Sequence, residues 1–255
     1  MSTVIGSVPY LNGRPLMRWF TDTPEGLASG VSVVEAVPSA LARMLEAGEI
    51  ATALVSSVEL FRQPGFTHAP GCAVIADGAV ESVRVFSRVP IEAVQTVALD
   101  TSSLTSVALT KIIFAERYGI TPEYVAHAPN LAQMLEVADA ALLIGDLGYR
   151  DYGPELYTLD LGMEWKALTG LPFVYACWVG YSDRMSPELI HYLQRAKEWG
   201  TQNLQRIADS EYARLDETQS RARHYLTDVM QYTLGEGEEI ALALFGEKVR
   251  AHGLV

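Results

Sequence analysis

The sequence predicts a two-lobed α/β protein with a central ligand cleft, and three observations lead there. Short β-branched runs alternate with helix-spaced segments, the pattern of parallel βαβ units. Three of those runs end in small polar residues that open the next helix. A nearly unbroken apolar stretch, Phe173 to Tyr181, reads as a strand buried on both faces that returns the chain to its first lobe.

Thr3 to Pro9 reads as the first strand, followed by a short helix over Gly13 to Phe20. Val31 to Val37 gives a second strand. Pro38 to Ala47 gives a helix, with proline at its first turn and Leu41, Met44 and Leu45 at helical spacing. Ile50 to Val55 is a third strand that breaks at Ser56 and Ser57, and Cys72 to Ala76 and Ser82 to Val89 are extended. Pro90 then opens a new series: a strand over Thr96 to Asp100, an amphipathic helix over Leu104 to Tyr118 and a strand over Tyr124 to Ala128. A helix capped by Asn130 and an apolar strand from Ala140 to Ile144 complete it. Beyond Pro187 the pattern is helical, over about 187 to 208, 218 to 234 and 237 to 251. The resulting division is residues 1–88 plus 177–255 for a discontinuous first lobe and 89–176 for the second, with two extended crossings between them. Ligands of open α/β sheets bind beyond the carboxyl ends of the strands.

Bulk composition narrows the function. The 255 residues carry 31 acidic against 19 basic side chains, a net charge of -12, which opposes binding along a nucleic-acid backbone. An anion site must therefore be built from local dipoles and a few placed cations. Cys72 and Cys177 are the only cysteines and fall in no metal-binding or disulfide pattern. No apolar run approaches the roughly 20 residues of a membrane helix, and no export signal is visible, so the expectation is a cytoplasmic protein without membrane partners. None of the five histidines has triad or metal spacing, and no glycine-rich phosphate loop is present.

The polar strand ends are Ser7-Val8-Pro9-Tyr10-Leu11-Asn12-Gly13, Val55-Ser56-Ser57 and Asp100-Thr101-Ser102-Ser103-Leu104-Thr105-Ser106. A helix N-terminus offers unpaired N–H groups and a partial positive charge to a carboxylate. Serine, threonine, aspartate and asparagine are also ordinary N-caps, which is the better account of a lone Ser-Ser. Five hydroxyls within the seven residues from Asp100 to Ser106 exceed what one cap requires. Arg14 and Arg88 are the best-placed cations for a carboxylate. Asp146, between Gly145 and Leu147-Gly148, reads either as a turn former or as a polar group facing the cleft.

The opening Ile5-Gly6-Ser7-Val8-Pro9-Tyr10-Leu11-Asn12-Gly13-Arg14-Pro15-Leu16 resembles the start of the chorismate dehydratases of the futalosine route to menaquinone. Agreement continues through Pro38-Ser39, Ala53 to Glu59, Val85 to Pro90, the Asp100 to Ser106 cluster, Ile144-Gly145-Asp146 and the segment from Asp160 to Val174. The resemblance implies a type II periplasmic-binding-protein-like fold, an elimination of water from chorismate to give 3-[(1-carboxyvinyl)oxy]benzoate, and no cofactor or metal. It implies Asn12 as the catalytic contact, with Ser56, Ser57, Ser87, Arg88, Ser103, Thr105, Ser106, Asp146 and Phe173 binding substrate. Two alternatives stand against it. A dihydroxynaphthoate synthase of the same route typically opens on a Ser-Pro-Cys-Pro-Asn-like turn, unlike Ser7 to Asn12. A non-enzymatic receptor for a small carboxylate has the same fold but calls for an export signal. Oligomeric state is not legible.

Overall fold

Ten strands form two five-stranded sheets in the computed structural model, which describes residues 3–100, 102, 104–214 and 218–255. The chain divides into two compact units, residues 1–75 with 174–240 and residues 76–173 with 241–255.

The first sheet has the order β2-β1-β3-β10-β4, built from β1 (Thr3–Ser7), β2 (Val31–Glu35), β3 (Thr52–Ser56), β4 (Phe66–Ala76) and β10 (Phe173–Tyr181). β1, β2 and β3 are parallel, whereas β10 runs antiparallel to β3 with Trp178 opposite Leu54. Ser7, Glu35 and Ser56 therefore end their strands at one edge. The expected first helix is displaced: a 3-10 turn, Leu11–Leu16, comes first and contains Pro15, which lacks the N–H that a regular helix needs. Helices α1 (Arg18–Asp22), α2 (Pro24–Ala28), α3 (Pro38–Ala47) and α4 (Glu59–Arg62) follow. Leu41 and Leu45 of α3 are buried as the spacing predicts, and Gly48 ends the helix in the left-handed conformation.

The second sheet has the order β7-β6-β8-β5-β9, from β5 (Val83–Ser87), β6 (Thr96–Asp100), β7 (Glu123–His127), β8 (Ala140–Ile144) and β9 (Tyr157–Asp160). β6, β7 and β8 are parallel, and β5 is antiparallel to both β8 and β9. Its helices are α5 (Leu104–Glu116), α6 (Leu131–Val137), α7 (Gly145–Tyr149) and α8 (Leu161–Thr169). The expected amphipathic helix, α5, is instead buried around most of its circumference, with Ala108, Leu109, Ile112, Ile113 and Phe114 all inside and α8 packed beside it. Asp160 caps α8 and also accepts from the backbone N–H groups of Val80 and Glu81, joining the loop before β5 to the end of β9.

Three boundaries differ from the sequence expectation. Residues 76–88 belong to the second unit, not the first, because β5 finds its hydrogen-bond partners in β8 and β9. The return crossing comes at 173/174 instead of 176/177. The C-terminal helices α9 (Pro187–Gln202), α10 (Leu204–Glu211) and α11 (Gln219–His224) stay with the first unit, but α12 (Glu236–Ala251) passes into the second from residue 241. Phe245 meets Trp165 and Phe173 edge-on there, and Lys248 and His252 both bond Glu116. The helix expected over 218 to 234 also stops early. A π-helical turn, Tyr225–Val229, closes α11, and Gln231 then bridges antiparallel to Ile75, satisfying backbone groups of β4.

Both the close packing and the carboxylate ties of this fold can be tested. A Cβ at Gly200 in α9 would lie 1.8 Å from the carbonyl oxygen of Pro15, so Gly200→Ala must displace the 3-10 turn. It should cost about 1–3 kcal/mol, read as a fall in melting temperature of about 2–4 °C per kcal/mol; an unchanged melt refutes the close approach. Asp139 accepts from the backbone of Gln95 and from the N–H and hydroxyl of Thr96, and these bonds, that of Gln95 foremost, hold its carboxyl below the usual carboxylate range. A depressed carboxyl stabilises the fold above its unfolded pKa of about 3.9, and that stability is lost as pH falls through the lower folded value. Asp139→Asn should therefore flatten the acid limb of stability between roughly pH 4 and pH 2, measured by denaturant titration across that window; an unaltered limb counts against the account.

Candidate functional site

Parallel strands deliver chain ends to one edge of each sheet, and that edge holds most of the polar residues singled out above. In the first unit the 3-10 turn follows directly from the end of β1. Asn12 is half-buried on it, and its Nδ2 donates to the hydroxyl of Tyr225 at 3.2 Å. Its Oδ1 makes no hydrogen bond to a described residue. Ser56, at the end of β3, is also half-buried, and its hydroxyl has no hydrogen-bond partner among the described residues. Asn12 and Ser56 thus rise from the same sheet edge with polar atoms available.

Ser57 does not join them as expected. It is fully buried, its hydroxyl donates to the Val174 carbonyl at 2.7 Å and its N–H to that of Tyr175 at 3.1 Å, so it staples β3 to β10. Arg14 is no free cation either. Only 4% exposed, it pairs with Glu35 at the end of β2 and lies 3.6 Å from Glu211 of α10, which also meets Arg18 at 3.3 Å. Glu35 and Glu211 escaped the sequence reading because nothing local marks them as partners of residue 14.

In the second unit Asp100, Thr105, Ser106 and Asp146 gather at the carboxyl edge of β6 and β8. Asp100 is buried and accepts from the N–H and hydroxyl of Ser102, a turn that shapes the approach to α5. Thr105 and Ser106 lie in the first turn of α5, both buried, and each has partners within the protein. That turn forms the positive end of a 13-residue helix. Asp146 is half-buried at the start of α7. Ser103 lies outside the described residues.

Three further residues expected at the site lie elsewhere. β5 runs against β8, with Ser87 opposite Ala140 and Val83 opposite Ile144, so Ser87 and Arg88 fall at the far edge of the sheet, about 13 Å of strand from the polar end. Their polar groups are engaged there: the Ser87 hydroxyl donates to the Val89 carbonyl at 2.7 Å, and an Arg88 Nη donates to the carbonyl of Ala138 at 3.1 Å, closing the end of α6. Phe173 is 1% exposed and packs edge-on against Trp165 and Phe245, with ring centroids 5.0 Å away in each case. It is a core residue.

Burial raises the Cys72 thiol to about 12 and Cys177 higher still, so both stay protonated. Among the described residues no group of three His, Cys, Asp or Glu side chains is placed to hold a metal, and no helix is long and apolar enough to cross a membrane. A separate cavity of about 420 Å³ lies in the second unit between α6 and the segment carrying Leu147, Arg150, Tyr152 and Leu156. Apart from Asn130, expected only as a helix cap, it contains no residue singled out in the sequence.

The chain matches a family model described as menaquinone biosynthesis over residues 3–251. It is 32% identical over 263 residues to a chorismate dehydratase of Thermus thermophilus, covering 96% of this chain and 94% of the relative. A chorismate dehydratase of Campylobacter jejuni subsp. jejuni is 26% identical over 260 residues, with 98% and 99% covered. Among solved structures, a protein from Archaeoglobus fulgidus superposes with a TM-score of 0.71 at 18% identity, covering 99% of this chain and 98% of that one. The periplasmic aliphatic sulphonate binding protein of Escherichia coli gives 0.66 at 13% identity, with 99% and 88% covered. A Candida albicans protein described as having the generic periplasmic binding protein fold gives 0.61 at 10%, with 100% and 91% covered. These likenesses establish the fold as that of periplasmic binding proteins, and the match along nearly the whole sequence establishes the family: the chain belongs to the menaquinone-biosynthesis family.

Proposed function

We propose that this chain is a hydro-lyase that removes water from chorismate to give 3-[(1-carboxyvinyl)oxy]benzoate. The observation that carries the reading is its 32% identity to a chorismate dehydratase across 96% of the chain. By resemblance, the reaction belongs to the futalosine route and takes place in the cytoplasm.

The reaction breaks the C3–H and C4–OH bonds and forms the last double bond of an aromatic ring. The ring carboxylate is conjugated through a double bond to C3, so any group that stabilises negative charge on that carboxylate acidifies the C3 hydrogen. Aromaticity supplies the driving force. Fixed amides are well suited to this task because they need no reorganisation as charge develops. In the second unit the first turn of α5, with Thr105 and Ser106, is assigned to carboxylate recognition, and Asp146 to orienting a polar group of the substrate. In the first unit Asn12 is assigned to the departing hydroxyl, with Ser56 beside it on the same edge. The substrate's own enolpyruvyl carboxylate is assigned the C3 proton, which dispenses with a protein base. Ser57, Ser87, Arg88 and Phe173 are dropped from the substrate set, since their burial or placement supplies another role.

Purified protein mixed with chorismate alone should convert it to a product lighter by one water, with the ultraviolet spectrum of a substituted benzoate. Saturable binding without turnover supports a solute receptor instead, and neither binding nor turnover defeats both readings. Asn12→Ala should lower kcat at least about tenfold, the scale of one lost hydrogen bond at a reacting group, with the circular dichroism spectrum unchanged. Full activity in that variant removes Asn12 from the chemistry.

A further inference from the structure

The Asn12 side chain is held by a residue 213 positions away in sequence. Tyr225 is 3% exposed and begins the single π-helical turn of the molecule's described residues. Its own carbonyl accepts from Met230 N–H at 3.1 Å, the i to i+5 bond that defines such a turn, so backbone and ring are both fixed. The chain then leaves the helix and is tied to β4 through Gln231 and Ile75, which anchors the segment from its other end. Tyr232, a few residues on, is fully buried with a hydroxyl that meets no described hydrogen-bond partner; burial, with Tyr225 adding to it, raises its pKa well above the ordinary value. This is a protected environment in which phenols stay protonated.

A carboxamide has a donor end and an acceptor end fixed in one plane. Tyr225 takes the donor end of Asn12, because the bond runs from Nδ2 to the phenol oxygen. The acceptor, Oδ1, and the second Nδ2 hydrogen are left to meet a ligand, in directions set by that bond. An asparagine free to rotate presents its carbonyl and its two N–H groups in any direction; one clamped through a single Nδ2 hydrogen presents its carbonyl oxygen and its second N–H in fixed directions. We infer that Tyr225 is a positioning residue that fixes the amide plane of Asn12 so that its carbonyl oxygen faces the substrate hydroxyl. This deepens the proposed function and rests on Asn12 meeting the substrate.

A local cause within the fold is visible. The only covalent neighbours of Asn12 are Leu11 and Gly13 of a 3-10 turn, whose hydrogen bonds set the backbone but not the side-chain torsions. Orientation of the amide plane has to come from a tertiary contact, and Tyr225 provides it. The geometry also explains why a large aromatic hydroxyl serves here: its ring is buried while its polar end reaches the turn.

The test is a double-mutant cycle in steady-state kinetics with chorismate. Tyr225→Phe should lower kcat about tenfold while KM stays within about twofold and the melting temperature within a few degrees. Added to Asn12→Ala, it should cause almost no further loss, because the hydroxyl has nothing left to orient. An unchanged kcat for Tyr225→Phe, or losses that multiply in the double variant, overturns the inference. Full activity of Asn12→Ala by itself removes the underlying contact and is recognisable without any Tyr225 variant. Should Tyr225→Phe fail to fold, Asn12→Asp is decisive: it keeps an acceptor for the substrate and can accept from the Tyr225 hydroxyl, so it should retain more activity than Asn12→Ala. Equal or lower activity refutes the acceptor role.

Discussion

Arg14 carries its charge to a position where it is 4% exposed, and the first unit is arranged around making that tolerable. A buried guanidinium without partners costs several kcal/mol in lost hydration, about 3–5 when one member of an established pair is removed. Here Glu35 at the end of β2 and Glu211 in α10 flank it, with Arg18 bonded to the same Glu211. The 3-10 turn is thereby fastened to its own sheet and to the C-terminal helices together. Gly200 allows α9 to close on Pro15 at the same turn. Asn12 rides on this fastened segment, which would suit the contact with a reacting group proposed for it.

The same principle, polar groups held by structure before any ligand arrives, runs through the second unit. Asp160 gathers the backbone of Val80, Glu81, Gly162 and Met163 around one carboxylate, and burial raises its pKa even though those N–H groups favour the charged form. Asp139 does similar work at the opposite edge, where Gln95 and Thr96 begin β6. With both edges tied, the start of α5 projects from a rigid sheet. Helix N-terminal amides, which are fixed by the backbone, become more reliable anion ligands than exposed side chains. Thr105 and Ser106 are themselves buried in that first turn.

Similarity along nearly the whole chain identifies the relatives, and the fold is one it shares with solute-binding proteins. The reaction proposed for it is undemanding: aromatisation drives the elimination, and charge stabilisation with correct positioning is most of what the protein adds. A binding fold is a short step from such catalysis.

Much of the architecture was legible from residue order because it depends on local periodicity. The Phe173 to Tyr181 strand, the Ala140 to Ile144 strand and the Asn130 cap are read from runs and spacings that interact within a few residues. Polar residues at strand ends were visible for the same reason, and so Asn12, Ser56 and the Asp100 to Ser106 cluster emerge from the sequence by itself. Strand direction was not. Whether Ser87 and Arg88 lie at the edge where the parallel strands end or at the far edge depends on β5 running against β8, a pairing set by hydrogen bonds between distant segments. Burial of Phe173 under Phe245, the use of Ser57 as a staple, the neutralisation of Arg14 by Glu35 and Glu211, and the grip of Tyr225 on Asn12 likewise join residues far apart in the chain. Sequence determines which groups exist and on which local element each sits; only tertiary packing decides which of them have already been used to hold the fold together and which are left to meet a substrate, because each donor and acceptor satisfied within the protein is one the ligand cannot have.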